Sequence, residues 1–391
     1  MSQRGAWDVI VIGAGPAGAV AAQQLASHGR RVLLVDKARF PRPKVCGCCI
    51  NHHAVTTLDR LGLGDAVRAR NPAWSDRFEL TANQTTATLP IPTGMVMTRA
   101  DFDHTLTQQA QQSGACFEEG TTARIEPMRS RREPRDVLLD SGQQTRRVSG
   151  RMVIAADGLA GTSLKQLPAM TWRVEQQAPV GVAGTTAGTD SANGPPGRTI
   201  AMAVARGGYI GRVQLPDGTV DIAGALQPDA IKQAGGRDAL IQRIMTEAHG
   251  QAGNAFEPAT ITWQGTPPLR RSRPAADHRL LIVGDAAGYV EPFTGEGIGW
   301  AIDSGAAAAQ LTKKALQAGA AKELARLWQR RYRRPVTWQQ GWCRGITWAL
   351  RHPGVTRAAV RVCRAVPSLA RPIIRYTAER AAKGGLQGSL S

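Results

Sequence analysis

A glycine-rich turn between a short apolar run and an alanine-rich segment is the feature that most limits how this chain can fold. The turn runs from Gly13 to Gly18 (GAGPAG), directly after the apolar run Val9 to Ile12. This arrangement gives the tight turn, the close backbone approach and the helix N-terminus that the pyrophosphate of a dinucleotide requires. A second strand, Arg31 to Val35, ends at Asp36, 18 residues after Gly18, where a carboxylate can accept hydrogen bonds from a ribose. The sequence therefore predicts a Rossmann-like dinucleotide site.

Four short apolar runs, each continuous rather than alternating, predict strands that are buried on both faces of a parallel sheet. The runs are Val9 to Ile12, Val32 to Val35, Met152 to Ala156 and Leu280 to Val283, and they end at Gly13, Asp36, Asp157-Gly158 and Gly284-Asp285, respectively. Ligands of open parallel sheets bind beyond the carboxyl ends of the strands. A single aspartate after a strand is usually a helix cap or a turn residue. Three such aspartates beside a glycine motif predict one shared ligand site.

Two regions between these runs, residues 71–97 and 171–265, differ from them because their apolar and polar positions alternate. Asp217-Gly218, between Tyr209 and Leu226, is typical of a hairpin turn. We therefore predict an α/β protein with a second, mixed sheet. The predicted parts are a discontinuous dinucleotide-binding domain (residues 1–70, 98–170 and 266–320), a substrate-binding domain (residues 71–97 and 171–265) and a basic helical C-terminal region (residues 321–391).

Length and composition narrow the class of protein. The 391 residues can bury a large core, and the first residues lack the charged and then apolar pattern of a signal peptide. No run approaches the roughly 18 apolar residues that a membrane span needs. The six cysteines do not suggest a disulfide framework. We therefore expect a cytoplasmic protein, with peripheral contact to a membrane surface as an additional option.

Positive charge is concentrated in the C-terminal region. From Thr312 to Ser391 there are 17 Lys and Arg residues against two acidic residues, and the whole chain carries a formal net charge of +19. One predicted helix there repeats Val355, Ala359, Val362 and Val366 on one face and Arg357, Arg361 and Arg364 on another. Such a helix can lie on an anionic membrane, bind an acidic carrier protein, or pack on the body with its arginines in water. Nucleic acid is not an expected partner, because no reading module accompanies the charge.

A cluster of cysteines and histidines lies within eight residues: Cys46, Cys48, Cys49, His52 and His53. A structural zinc site usually takes ligands in Cys-x₂₋₄-Cys pairs that come from separate parts of the chain. The adjacent Cys48 and Cys49 fit that spacing poorly, so we predict no metal site. Packing of small apolar thiols is one alternative.

Several ordered segments resemble one enzyme family. They are Gly13 to Gly18, Phe40 to Gly47 (FPRPKVCG), Thr98 to Asp103 (TRADFD), Ala156 to Gly158, and Gly284 to Gly305. Over about residues 7 to 315, the chain resembles the FAD-dependent oxidoreductases of the p-hydroxybenzoate hydroxylase superfamily, and within it the geranylgeranyl-reductase-like branch. The resemblance implies FAD as the cofactor. It also implies a Rossmann-like FAD-binding sheet of the glutathione-reductase type with an interleaved mixed-sheet substrate domain. The helical C-terminal tail is predicted separately, from the prolines that divide the basic region into short helices.

The resemblance further implies where FAD binds. Asp36 would bind the adenosine ribose, Arg99 the phosphates, and Asp285 the ribityl chain. The implied cofactor residues are Gly13, Gly15, Ala17, Gly18, Asp36, Lys37, Cys46, Gly47, Cys49, Arg99, Ala123, Asp157, Asp285, Gly295, Gly297 and Ile298. Gly295 and Gly297 would let the main chain lie flat on the isoalloxazine ring. A helix that begins near Ile298 would direct its first amides at the reduced flavin.

The same resemblance supplies candidates on the substrate side. The segment Lys44 to Gly47 resembles the Lys-x-Cys-Gly segment of the reductases, which implies that Cys46 lies near flavin and substrate. Cys46 is therefore the candidate catalytic residue, since a thiol can donate a proton or orient a substrate. The stretch Tyr209 to Pro216 resembles the strand that lines the substrate cavity in isoprenoid reductases, which makes Tyr209 and Arg212 candidate substrate-lining residues. Arg212 stands where those enzymes have a tryptophan.

These features predict an FAD-dependent oxidoreductase that transfers a hydride from NAD(P)H through the flavin to an apolar or conjugated organic substrate. No second strand-associated glycine motif follows the first, so NAD(P)H is expected to bind transiently. One alternative is an FAD-dependent monooxygenase that hydroxylates an aromatic or polyketide-like compound, since one scaffold can host both reactions. Another is a non-catalytic flavin- or partner-binding protein that acts through its basic tail.

Overall fold

The structure is a computed structural model, and it describes residues 6–46, 48–187, 195–250, 256–290, 295–318, 323–330 and 352–370, with positions 341, 345 and 349. The strands are β1 (Trp7–Ile12), β2 (Val32–Val35), β3 (Cys49–Ile50), β4 (Ala73–Ala82), β5 (Thr85–Val96), β6 (Cys116–Glu118), β7 (Thr122–Ile125), β8 (Arg135–Asp140), β9 (Thr145–Ala155), β10 (Arg173–Val174), β11 (Val180–Thr186), β12 (Thr199–Ala205), β13 (Gly208–Gln214), β14 (Val220–Leu226), β15 (Gln264–Pro268), β16 (Arg271–Ser272), β17 (Ala276–Asp277), β18 (Leu280–Ile282) and β19 (Gly288–Tyr289). The helices are α1 (Pro16–Ala26), α2 (His52–Arg60), α3 (Gly64–Arg68), α4 (Arg99–Gln112), α5 (Pro228–Gln233), α6 (Arg237–His249), α7 (Gly297–Ala318) and a C-terminal helix (Pro353–Ala365).

The first sheet contains the four predicted buried runs. Its strand order is β17-β18-β9-β1-β2-β6, and the pairs among β18, β9, β1, β2 and β6 are parallel. The run from Val9 to Ile12 is almost fully buried, as expected of a strand that is covered on both faces. Register places Ile12 between Val35 and Ala155, so the carboxyl ends of β1, β2 and β9 meet at one edge. The predicted α/β fold is confirmed.

Small residues bring the late glycine segment against the early one. Helices α1 and α7 cross where a Cβ on Gly305 would collide with the carbonyl oxygen of Ala17. A Cβ on Gly284 would lie 3.1 Å from the Ala17 Cβ. The Gly284 N–H also donates to Ser304 Oγ at 3.0 Å, which ties the end of β18 to α7. Because neither glycine has a side chain, the two helices and β18 pack within backbone contact of each other.

The second sheet is mixed, with the strand order β15-β11-β14-β13-β12-β4-β5-β3. Its neighbouring strands are antiparallel except β12 and β4, which are parallel. The predicted hairpin is present: β13 and β14 pair through a turn at Gly218, whose φ is 85°. Helix α6 covers one face of this sheet with Leu240, Ile241 and Ile244, all fully buried. Strand β3 pairs with β5 of the second sheet. The segment that carries Cys46, Cys48 and Cys49 leads into β3, and we call it the cysteine loop. It therefore lies on the chain connection between the two sheets.

The C-terminal helix packs on strands β4 and β5 of the second sheet. It does so through Thr356 and Val360, which are buried, and through the half-buried Cys363. The apolar face predicted from the sequence is a different one: Val355, Ala359, Val362 and Val366 are exposed, as are Arg357, Arg361 and Arg364. The helix is therefore docked, and a valine stripe next to its arginines faces outward.

Much of the predicted basic tail lies outside the described residues, including its segments around Pro335 and Pro372. Pro353 begins the C-terminal helix, and Pro367 begins a short 3-10 turn, Pro367–Ala370, as the proline pattern predicts. Within the part of the chain that the structure describes, no helix combines the length and the apolar character that a membrane span requires.

Candidate functional site

The glycine turn after β1 is closed by backbone contacts that leave no room for side chains. Gly13 has a φ of 98°, and a Cβ there would collide with the Ala156 carbonyl. A Cβ on Gly18 would collide with the Gly13 carbonyl oxygen. Gly15 differs, because a Cβ at that position would meet only two cationic side-chain ends. The turn therefore packs tightly on β9, and its Gly15 side opens toward positive charge.

Asp36 is held at the end of β2 by two backbone amides. The Ala14 N–H donates to Asp36 Oδ2 at 2.8 Å, and the Ala38 N–H donates to Oδ1 at 2.9 Å. The aspartate is buried, whereas Lys37, next in the chain, is exposed. Each carboxylate oxygen keeps a further lone pair, which can accept a hydroxyl donor.

Two arginines converge beside Gly15 on one buried carboxylate. Arg99 donates two hydrogen bonds to Asp103, from Nε and Nη2, both at 2.8 Å. The Arg42 Nη2 lies 3.3 Å from Asp103 Oδ2 and 3.9 Å from Asp36 Oδ2. A Cβ on Gly15 would lie 3.7 Å from Arg42 Nη2 and 3.9 Å from Arg99 Nη2. Arg42 Nη1 is buried with no hydrogen-bond partner. We call Gly15, Arg42, Lys44 and Arg99 the phosphate groove, after the ligand that the family resemblance implies for Arg99.

Lys44 and Asp285 extend this groove toward the end of β18. A Cβ on Gly158 would lie 3.7 Å from Lys44 Nζ. Burial lowers the pKa of Lys44, and Asp285 acts in the opposite direction. Burial likewise raises the pKa of Asp285, which Lys44 and Arg99 counteract. Since Arg99 acts on Asp285 and also lies beside Gly15, the structure brings the first and the late glycine segments to the same groove.

Asp157 at the end of β9 is anchored rather than free to rotate. The Ser163 N–H donates to its Oδ2 at 2.8 Å, while its Oδ1 is buried without a hydrogen-bond partner. Burial raises the pKa of Asp157, and Ser163 and Arg273 counteract that effect. Burial lowers the pKa of Arg273 to about 10, and the Arg273 guanidinium lies over the Trp172 ring.

The cysteine loop lies between the phosphate groove and the second sheet. The Cys46 thiol lies beside the Arg99 guanidinium. Cys48 is buried with a positive φ of 51°, and burial, with a contribution from Asp221, raises its pKa well above the usual value. A Cβ on Gly295 would lie 3.9 Å from the Cys49 Cβ. Gly47 lies outside the described residues. We call Cys46, Cys48, Cys49 and Asp221 the thiol-carboxyl cluster.

The start of α7 presents backbone rather than side chains to the cysteine loop. Gly295 has a φ of 75°, Gly297 begins the helix, and the Ile298 side chain is buried in a core cluster with α2 and α4. One turn later, a buried pair crosslinks α7 to α2: His53 Nε2 lies 2.6 Å from Asp303 Oδ2. A Cβ on Gly299 would lie 3.2 Å from the same imidazole, so this pair holds the helix start in place.

Tyr209 and Arg212 lie on opposite faces of the second sheet, because side chains alternate along a strand. Arg212 pairs with Ile222, on the face that α6 covers. Tyr209 pairs with Ala225 and packs near Leu159, just after Asp157-Gly158. The Tyr209 face is otherwise built from Gly181, Ala183, Gly211, Ala223 and Ala225, which cross-strand pairing aligns. We call these five residues the small-residue face. Larger side chains border this face: a Cβ on Gly211 would lie 3.2 Å from Met202 Cε, and one on Gly181 would lie 2.8 Å from Thr266 Oγ1.

The remaining candidate, Ala123, is buried in β7, which follows the point where the Thr121 N–H donates to the Asp36 carbonyl. Sequence reasoning did not single out Arg42, Lys44, Asp103, Asp221 or the His53–Asp303 pair as site residues. Arg42 and Lys44 lie in the FPRPKVCG segment, and Asp103 comes four residues after Arg99, the spacing of a helical ion pair. No comparable local signal marks Asp221. Among the described residues, no group of three or more His, Cys, Asp or Glu residues is placed to hold a metal ion.

Comparison with known proteins agrees with this geometry. The family described as FAD binding domain matches residues 6–340. The menaquinone reductase of Mycobacterium tuberculosis is 30% identical over 340 residues, which cover 82% of this chain and 78% of that protein. Digeranylgeranylglycerophospholipid reductase 2 of Methanosphaera stadtmanae is 27% identical over 331 residues, which cover 80% of this chain and 79% of that protein.

A solved structure shows the same fold. The p-nitrophenol 4-monooxygenase of Pseudomonas putida superposes with a TM-score of 0.76 at 15% identity, covering 94% of this chain and 96% of that one. Fold likeness does not by itself choose between reduction and hydroxylation. The family match and the reductase relatives complete the identification: the chain belongs to the FAD binding domain family and is an FAD-dependent oxidoreductase.

Proposed function

We propose that this protein is a reductase that passes a hydride from NAD(P)H, through FAD, to an apolar conjugated substrate such as a quinone or an isoprenoid alkene. The observation that carries the proposal is the continuity of three regions. The phosphate groove leads to the cysteine loop, and that loop adjoins the small-residue face of the second sheet. An anionic cofactor can thus bind at one end while a flat apolar molecule reaches its far end.

The residues present fit FAD. The unpartnered Arg42 Nη1 and the open side of Gly15 suit a pyrophosphate, and the two amides on Asp36 hold that carboxylate ready for a ribose. We propose the following contacts: Gly13, Gly15, Ala17, Gly18, Arg42 and Arg99 with the phosphates; Asp36, Lys37 and Ala123 with the adenosine; Lys44, Asp157 and Asp285 with the ribityl chain; and Cys46, Gly47, Cys49, Gly295, Gly297 and Ile298 with the ring system. When bound, FAD would accept a hydride from the donor and pass it to the substrate.

The substrate class follows from the second sheet. The small-residue face consists of glycine and alanine and is bordered by Met202 and Leu269, an apolar lining that suits an apolar molecule better than a polar one. The two relatives compared above are named for menaquinone and for a digeranylgeranyl lipid, and both names describe apolar, unsaturated substrates. Tyr209 lies on this face and Arg212 on the other, so we propose Tyr209 as the lining residue.

Apolar substrates of this kind reside in membranes, and the outward stripe of the C-terminal helix suits that source. We propose that Val355, Val362 and Val366 enter an anionic membrane surface while Arg357, Arg361 and Arg364 contact lipid phosphates. An acidic carrier protein is the competing partner. The five described cysteines are free thiols, which supports the cytoplasmic side of such a membrane.

Anaerobic turnover tests the proposal. FAD-loaded protein is mixed with NADPH or NADH and menadione, a short naphthoquinone, in the absence of oxygen. We expect donor oxidation in step with formation of the naphthoquinol. A monooxygenase, the alternative that the Pseudomonas putida structure illustrates, would consume the donor only when oxygen is admitted and would add an oxygen atom to its product. A colourless protein that retains no FAD would instead support the non-catalytic alternative.

A further inference from the structure

Asp221 is a buried carboxyl group that no part of the account above uses. It lies on β14 and is 6% exposed, and its Oδ2 has no hydrogen-bond partner. The Cys48 thiol lies close to this carboxyl, and Cys49 lies close enough to be affected by its charge. A buried polar atom without a partner costs free energy, so such an atom calls for an explanation.

The carboxyl group points to the substrate side of the sheet. Asp221 pairs with Val213 on β13, on the same face as Tyr209 and Gly211, and away from α6. Its other cross-strand neighbour, Thr185 on β11, is exposed, so this face opens to solvent beside the carboxyl. On the opposite side, Cys49 lies against Gly295, two residues before the start of α7. Asp221 is thus placed where the small-residue face meets the cysteine loop.

We propose that Asp221 is the general acid that protonates the substrate as it is reduced. This inference rests on the proposed function. Reduction of a quinone to a quinol adds one hydride, with both electrons, and one proton. The proton leaves Asp221 Oδ2 as the substrate carbonyl oxygen gains its O–H bond, and the resulting carboxylate takes a proton from solvent before the next turnover. For an isoprenoid alkene, the proton goes to carbon instead.

The surroundings of Asp221 keep it protonated. Burial raises its pKa from 3.8 to about 7, and the Cys48 thiol acts in the opposite direction. The other titratable groups that face it are thiols: burial also raises the pKa of Cys48 and of Cys49, so neither adds negative charge near neutral pH. Arg212 occupies the neighbouring strand but lies on the other face. A carboxyl group with a pKa near the working pH is a good proton donor.

Two readouts test the inference separately from the function. Infrared difference spectra of the FAD-loaded protein, recorded across a pH titration, follow the carbonyl stretch of protonated carboxyl groups. We expect one such band that titrates near neutral pH and is lost in Asp221→Asn, but not in Asp229→Asn, a matched change at an exposed aspartate. If the wild-type protein shows no carboxyl that titrates in this range, the inference is wrong, whether or not the enzyme reduces quinones.

Single-turnover kinetics give the second readout. FAD in each variant is photoreduced without oxygen and then mixed with menadione. We expect Asp221→Asn to slow flavin reoxidation by about 100-fold, a typical contribution of general acid catalysis, and to leave photoreduction unchanged. Wild-type and Asp229→Asn proteins should react alike. Equal rates in wild type and Asp221→Asn would overturn the inference while leaving the proposed reductase intact; no reoxidation in any protein would count against the function instead.

Discussion

The phosphate groove and the thiol-carboxyl cluster are neighbours that differ in charge: the groove holds ionised side chains, whereas burial favours the neutral forms in the cluster. In the groove, Arg42 and Arg99 surround one fully buried carboxylate, Asp103, and Arg42 Nη1 is left without a hydrogen-bond partner, ready for an anionic ligand. In the cluster, burial raises the pKa of Asp221, Cys48 and Cys49, so these groups hold protons and remain neutral. Fixed charge thus suits a cofactor that stays bound. Protonated groups suit a substrate that must gain a proton when it is reduced.

The largest expected effect concerns the tight backbone packing of the glycine turn beside the groove. In Gly18→Ala, the new Cβ would collide with the Gly13 carbonyl oxygen, a main-chain atom that cannot move without displacing β1. We expect loss of FAD binding and of at least about 3 kcal/mol of stability. Gly265→Ala is the control, because a Cβ there meets nothing within 4 Å. Flavin absorbance of the purified proteins and urea unfolding measure both effects, and a yellow, stable Gly18→Ala protein would contradict the proposed closure.

The proton-holding side predicts a pH-dependent stability. Between about pH 4 and about pH 7, Asp221 is ionised in the unfolded chain but protonated in the folded one, so stability falls as pH rises through this window. The raised pKa corresponds to a loss of up to about 4 kcal/mol. Asp221→Asn should lack this component, so its stability relative to wild type grows with pH. Urea unfolding below and above the window measures it; a constant difference between the two proteins would refute the raised pKa.

The fixed charge of the groove predicts a coupled loss of stability and affinity. Arg99→Gln removes two hydrogen bonds to Asp103 and leaves a buried carboxylate with Arg42 alone. We expect a loss of about 3 kcal/mol of stability and weaker FAD binding. Arg68→Gln is the matched control, because Arg68 also donates two hydrogen bonds to carboxylates, those of Asp59 and Asp65, but its side chain is 38% exposed. Fluorescence titration with FAD compares them, and equal affinities would remove Arg99 from the cofactor site.

The smallest expected effect concerns the C-terminal helix. The double variant Arg361→Gln/Arg364→Gln should weaken binding to vesicles that contain phosphatidylserine by about 1 kcal/mol per residue. Arg206→Gln, a change at an exposed arginine of the body, should not. Flotation with anionic and with neutral vesicles distinguishes the cases. Equal binding of all variants would rule out the helix as the membrane contact, and retention on an acidic carrier protein alone would favour that partner.

Local motifs explain why the glycine turn and Asp36 could be placed together from sequence, whereas Arg42 and Lys44 of the groove were not singled out. Gly13, Gly18 and Asp36 belong to one strand–turn–helix unit, where spacing along the chain determines spacing in space. The four buried runs likewise required a parallel sheet, and the structure has one.

Asp221 and the C-terminal helix show what sequence patterns miss. Asp221 lies near Cys48 because strands distant in sequence are paired in the second sheet. No local hydrophobic pattern in the sequence predicts that contact. In the C-terminal helix, Thr356, Val360 and Cys363 follow the same spacing of four and three as the apolar face at Val355, Ala359 and Val362 that the sequence indicates. Two faces of similar apolar content therefore competed. The face that packs is the one that contacts β4 and β5, and those contacts depend on residues distant in sequence from the helix.

The most direct test of the account is a single anaerobic turnover that needs no donor. FAD-loaded protein is photoreduced and mixed with a limiting amount of menadione, and flavin absorbance and naphthoquinol are measured together. The account predicts that oxidised flavin returns without oxygen, with one quinol formed for each flavin reoxidised. Flavin that stays reduced until oxygen is admitted, followed by a hydroxylated product, would contradict it.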